Sequence, residues 1–177
     1  MRTAPTLAAA ALAAALLLTA CDDSGAGSDT EDKAKDSTAC KIDEVAVDVG
    51  PAAEAPAAGD TGSVPVTITN GATECTLDGL PAVDLYAGGT STNVLPDPAA
   101  KAQKLTLAAN QAVSFTITYV RGEPGGAKTL AVKTAKFSLP GAATAVHSFP
   151  WSYGDVALKS DGKEPDATVS GFQQVGD

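Results

Sequence analysis

The stretch Gln111-Ala112-Val113-Ser114-Phe115-Thr116-Ile117-Thr118-Tyr119-Val120 decides the fold. Val113, Phe115, Ile117 and Tyr119 alternate with Ser114, Thr116 and Thr118, a period of two that puts the apolar set on one face of a strand. A helix would scatter the same residues around its circumference. The segment is therefore read as a strand lying with one face on a core and the other in water.

Working outward, the same period recurs. Val45, Val47 and Val49 alternate with Ala46 and Asp48, and Val64, Val66 and Ile68 with Pro65, Thr67 and Thr69. Shorter candidates are 83–86, 104–107, 129–138, 142–149, 155–158 and 167–172. In the stretch from Leu130 the apolar parity switches, from Leu130 and Val132 to Phe137 and Leu139, and a β-bulge would restore the inward face. Pro65 lacks the amide hydrogen that a ladder needs, so its strand is expected at a sheet edge. Turn signals separate the runs: Asn70-Gly71, Asp78-Gly79, Gly88-Gly89, Pro96-Asp97-Pro98, Gly125-Gly126, Pro140-Gly141 and Asp161-Gly162. Pro51 to Gly59 reads as an exposed loop. No window after residue 21 sustains a convincing helical period beyond three turns, and the pattern predicts an all-β antiparallel sandwich or barrel.

The N-terminus reads differently. Arg2 and the free amino group precede an apolar run from Leu7 to Leu18, built like a secretory signal. The run is far short of the about 20 residues that span a bilayer. Leu18-Thr19-Ala20-Cys21 matches the bacterial lipobox, in which the cysteine is acylated. Residues 22–38, DDSGAGSDTEDKAKDST, contain no large apolar side chain and cannot build a core, as suits a flexible tether. The expected organisation is a lipoprotein signal peptide at 1–20, a lipidated, disordered linker at 21–39 and one sandwich domain at 40–177. The expected location is the outer face of the cell membrane, with the bilayer as partner through Cys21.

The chain carries 12 Lys and Arg against 21 Asp and Glu. Removing residues 1–20 takes away Arg2 and no acid, which makes the remainder more acidic still. Nucleic acid and anionic headgroups require a basic surface, so neither is expected as a partner. With Cys21 committed to lipid, Cys40 and Cys75 remain, and in an oxidising compartment two cysteines most simply pair. The competing readings, a reactive thiol or a metal site, have no neighbouring histidine or Cys-x-x-Cys spacing to support them.

The search for chemistry is short. His147 is the sole histidine; as a base it would need a nucleophile and an orienting acid, and no Gly-x-Ser-x-Gly elbow is present. Ser160-Asp161-Gly162-Lys163 has the Ser-x-x-Lys spacing of penicillin-recognising enzymes, but it sits at a turn where those enzymes have a helix. Asp155, Asp161, Glu164 and Asp166 do not follow the EF-hand spacing and read as a solvated acidic loop, with weak calcium binding as the alternative. Phe149, Trp151 and Tyr153 form the most aromatic segment and are the candidate binding surface; the competing reading makes Trp151 a plug in the core. No catalytic residue, metal site or cofactor is assigned. The leading expectation is a non-enzymatic binding or structural module whose ligand is an envelope protein or a small molecule. The alternatives are a small-molecule or metal-binding lipoprotein, or a hydrolase using His147.

Thr69-Asn70, then Cys75-Thr76-Leu77-Asp78-Gly79-Leu80-Pro81-Ala82-Val83-Asp84-Leu85, and the later run from Leu105 to Phe115, are the most distinctive segments. They resemble a domain of unknown function, number 4232, common in lipoproteins of high-GC Gram-positive (actinobacterial) bacteria. The resemblance implies an immunoglobulin-like β-sandwich in which Cys40 pairs with Cys75. It brings no catalytic residues. Family members often carry a second cysteine pair in the C-terminal half, which this chain lacks.

Overall fold

The computed structural model describes residues 39–175. The expected signal peptide, Cys21 and the expected tether up to residue 38 lie outside the described residues. Thirteen strands and no helix make up the described chain: β1 (Val45–Val49), β2 (Thr61–Asn70), β3 (Cys75–Gly79), β4 (Ala82–Ala87), β5 (Thr90–Pro96), β6 (Gln103–Leu107), β7 (Ala112–Val120), β8 (Thr129–Leu130), β9 (Thr134–Ser138), β10 (Val146–Pro150), β11 (Val156–Ala157), β12 (Ala167–Val169) and β13 (Gln173–Gln174).

A nine-stranded sheet runs β1-β2-β7-β12-β5-β4-β9-β10, with β13 also paired to β7. It curls into a sandwich-like half-barrel, and the fold class is all-β as the alternation predicts. Two small sheets, β3 with β6 and β8 with β11, complete it. All pairs between named strands are antiparallel but one. β12 runs parallel to β5 through Thr168–Leu95 and Val169–Pro96, and antiparallel to β7 on its other side. Three residues thus join the β1-β2-β7 half of the sheet to the β5-β4-β9-β10 half.

The inward parity is the one the sequence shows. Val113, Phe115, Ile117 and Tyr119 are buried, alongside Val64, Val66 and Ile68 of the neighbouring β2, and share one core with Phe137 of β9. The Phe115 ring meets Phe137 edge-on at 5.2 Å and Phe172 at 5.8 Å, a favoured aromatic geometry. Cys40 and Cys75 form a disulfide beside the β3–β6 ladder, and Ala39 bridges to Thr76.

Four local expectations are corrected. Pro65 does not lie on an edge strand, since β2 sits between β1 and β7. Its residue is tolerated because β1's ladder stops at Val49–Val66; beyond it the Pro65 carbonyl accepts from Gly50, and the chain next rejoins β2 at Ala53–Ser63. The parity switch after Leu130 is made by a break, not a bulge. Leu130 pairs with Val156 on β11, and the chain then leaves that ladder and enters β9 at Thr134, where Ala135 and Phe137 turn inward. The segment from Pro51 is not simply an exposed loop, because Ala55 is fully buried. Residues 142–145 form turns, so β10 begins only at Val146.

Candidate functional site

The aromatic segment is built into the core. Phe149 and Trp151 are each 6 % exposed, and only Tyr153 keeps a partly open side chain. Trp151 stacks edge-on against Tyr119 at 5.1 Å and Tyr153 at 4.9 Å, and its indole N–H donates to the Gly154 carbonyl at 2.7 Å. The Tyr119 hydroxyl donates to the Tyr153 carbonyl at 2.9 Å. Arg121 donates through Nη1 to the Ala55 carbonyl at 2.7 Å, which ties down the loop before β2. Gly62 is required beside this cluster: a Cβ there would lie 2.6 Å from the Tyr119 ring. These contacts close one end of the sandwich, so Phe149 and Trp151 have little surface to offer a partner.

Burial pushes the Tyr119 phenol above its ordinary value, and the nearby Glu54 charge adds to the shift; Tyr153 is raised for the same two reasons. A raised folded-state value means that the neutral phenol contributes stability below the unfolded value of about 10. That contribution is lost as pH rises through the folded value. Tyr119→Phe loses the bond to the Tyr153 carbonyl and the long one accepted from the Ala55 N–H at 3.5 Å; it is expected to cost about 1–2 kcal/mol at neutral pH and to reduce the decline of stability above pH about 10. Urea unfolding at neutral and alkaline pH measures both. An alkaline decline as steep as the parent's would remove Tyr119 from this role.

His147 stands on β10 and tilts against the Phe137 ring at 5.4 Å. Among the described residues no serine hydroxyl is bonded to it. The acidic residues are spent locally: Asp161 Oδ1 accepts the Lys163 and Glu164 amides, which holds its carboxyl below the usual range. Glu164 pairs with Lys159 at 3.1 Å, and Asp155 accepts the Gly125 amide at 3.3 Å. Among the described residues no three His, Cys, Asp or Glu side chains converge as a metal site would need. The Ser160–Lys163 segment is a turn around Gly162, at φ 70°.

The site that sequence reasoning missed lies where β5 and β12 end. Asp97, Ala99 to Lys101, Gln103 and Ser170 to Gln173 line an open cleft of about 260 Å³. The turn after β5 is docked there by its backbone: the Asp97 N–H donates to the Val169 carbonyl, and Asp97 Oδ1 accepts the Ala99 N–H at 2.7 Å. Opposite it, the Ser170 hydroxyl accepts the Thr116 N–H at 2.9 Å and donates to the Gly171 carbonyl at 3.0 Å. The two walls meet where the Lys101 carbonyl lies 3.1 Å from the place a Gly171 Cβ would occupy. Phe172, 3 % exposed and packed on Phe115, lines the cleft from the core side.

The chemistry of the cleft follows from which groups are already committed. The lone hydroxyl among its lining residues is saturated by backbone partners, and the histidine is on β10, three strands beyond β5 in the sheet order. The Lys101, Gln103 and Gln173 side chains make no hydrogen bond or ion pair within the described residues. One ammonium and two amides thus stand around the cleft, a set that orients a polar ligand. The volume is slightly below the about 300 Å³ where small-molecule sites begin, so a slender occupant fits better than a bulky one. The turn signal at Pro96-Asp97-Pro98 and the apolar Phe172 were both visible in the sequence. Their meeting depends on the parallel β5–β12 pairing, which no local pattern encodes.

A family model described as "Domain of unknown function (DUF4232)" matches residues 40–173. No curated protein and no solved structure gives a match.

Proposed function

We propose that this chain, which belongs to the family of the domain of unknown function DUF4232, is a lipid-tethered binding module of the cell envelope that works without covalent chemistry. The cleft between the Asp97 turn and the Ser170–Gln173 segment is its binding site. The observation that carries the reading is the division of labour in that cleft: its hydroxyl is tied up in the fold while Lys101, Gln103 and Gln173 are unspent. Binding sites keep a few polar groups available around an apolar surface, whereas a nucleophile needs a base within hydrogen-bond reach. The lipobox Leu18-Thr19-Ala20-Cys21 and the polar run after it support the tether. A thioether-linked diacylglycerol buries many methylenes at about 0.8 kcal/mol each, and two chains suffice for stable anchoring.

Two measurements test the reading. Cys21→Ala is expected to move the protein from the membrane fraction to the medium while its thermal unfolding stays unchanged; retention on the membrane would overturn the anchor. Lys101→Ala together with Gln103→Ala and Gln173→Ala is expected to leave stability within about 0.5 kcal/mol per site and to abolish capture of envelope components by crosslinking in intact cells. Capture unaffected by these changes would move the site elsewhere. The rival hydrolase reading makes a different prediction, fluorophosphonate labelling that disappears in His147→Ala.

A further inference from the structure

Phe172 poses a problem of backbone accounting. The residue is 3 % exposed, yet neither its N–H nor its C=O is hydrogen-bonded within the described residues. Buried main-chain groups are nearly always paired, so the exception asks for a partner. The direction of these groups follows from the register. Gln173 stands opposite Ser114 and Gln174 opposite Val113 on β7, and Val175 donates to Ala112. In an antiparallel pair, residues alternate between facing the partner strand and facing away. With Val175 bonded toward β7, Gln173 faces β7 too, while Phe172 and Gln174 present their main chain to the opposite side. That side is the cleft.

The sheet itself explains why the position is open. Above it, β12 is flanked by β5, but that pairing stops at Val169–Pro96, and the chain turns away through Asp97 to Lys101. Beside β13 there is a strand's place with no strand in it. Across the gap, the N–H and C=O groups of Lys101 and Ala102 are also unpartnered within the described residues, and β6 begins just after them at Gln103.

We propose that the cleft takes a short extended peptide, whose main chain pairs with Phe172 and with Lys101–Ala102 and so continues the sheet beside β13 where β5 leaves off. The inference rests on the cleft reading above and names its ligand class. Main-chain pairing supplies affinity in this mode of recognition, and pockets for alternate side chains supply choice. Gln103 and Gln173 reach the peptide's amides from either wall, and Phe172 sets a side chain against the core. Lys101 favours an acidic residue at the rim. A slender, amide-rich occupant agrees with the cleft's modest volume.

The test uses the lipidated chain in detergent, labelled with ¹⁵N, titrated with capped pentapeptides of the form acetyl-Ala-Val-Xaa-Val-Ala-amide in which Xaa is varied. The Lys101, Ala102 and Phe172 amide resonances are expected to move together and to saturate. Methylating the backbone nitrogen of Xaa is expected to weaken binding at least ten-fold, and Gly171→Val, which drives a side chain against the Lys101 carbonyl, to do the same. The methylated peptide needs no protein variant, so a folding defect in Gly171→Val leaves the experiment decisive. Peptides that move none of these resonances, or bind equally well when methylated, overturn the proposal. In that event free glutamate and N-acetylglucosamine separate the two ideas: if either moves the cleft resonances, the cleft still binds and only the peptide is wrong. If neither does, the cleft reading falls with it.

Discussion

Unfolding of a Cys40→Ala/Cys75→Ala double variant is expected to require about 3.8 kcal/mol less than the oxidised parent, on the chain-entropy estimate for the 35-residue separation. For a domain of this size that corresponds to a fall of about 10–15 °C in Tm. The loop so closed contains β1 and β2, whereas Cys75 begins β3, which ladders with β6. Without the link, residues 40–74 regain the freedom to drift from β3 in the unfolded chain. Both sulfurs are buried, Cys40 at 1 % and Cys75 at 7 % exposure, so removing both together avoids leaving a lone thiol. Guanidinium unfolding of both proteins gives the difference, and a loss below about 1 kcal/mol, outside the usual 2–4, would mean the bond merely decorates an already ordered loop.

Asn70→Ala is expected to cost about 3 kcal/mol, because it strips partners from several main-chain groups at once, each worth about 1–3 when buried. Asn70 is 1 % exposed. Its Nδ2 donates to the carbonyls of Thr73 at 2.9 Å and Leu107 at 3.0 Å, with Ala108 at 3.3 Å, while Oδ1 accepts the Ala72 N–H at 3.0 Å. One side chain thus satisfies the turn leaving β2 and the turn between β6 and β7. Asn70→Asp is the sharper probe. It keeps the shape and the Ala72 contact but turns a carboxylate toward three carbonyl oxygens, so it should destabilise more than alanine does. Urea midpoints for the two variants decide the matter, and an Asp variant as stable as the parent would rule out this role for Nδ2.

Asn70 also shows how far sequence reading reaches. The Thr69-Asn70 and Cys75-Thr76-Leu77 residues are distinctive by eye, and Asn70-Gly71 announces a turn. What the asparagine does depends on Leu107 and Ala108, and nothing local links residues 37 and 38 places apart. Strand parity was legible wherever one face is apolar and the other hydroxylic, as in β7 and β2, since burial acts on each residue in turn. It failed for β5, whose Thr90-Ser91-Thr92-Asn93 opening carries no apolar alternation and whose Val94 and Leu95 are adjacent; Leu95 is left 42 % exposed. Pro65 misled because an edge is a local condition of the ladder, met here in the middle of a sheet. The aromatic segment was legible as chemistry of interest but not as surface or core, since Trp151 meets Tyr119 only once β7 and the end of β10 converge. The cleft was invisible for a related reason: its two walls are about 70 residues apart in sequence, and the one parallel pairing between named strands brings them together.

That parallel pairing of β12 with β5 has a consequence in time. Ala167–Val169 come after every other named strand except β13 in chain order, yet they alone bridge β5 and β7. A folding chain can assemble β1, β2 and β7 on one side and β4, β5, β9 and β10 on the other while the seam between them stays unzipped. Until residues 167–169 have docked, β5 and β7 each present an unpaired edge, the exposure that invites wrong partners. A proteolysed fragment lacking residues 167–175 would therefore keep two open strand edges, and the short seam acts as the latch that closes them.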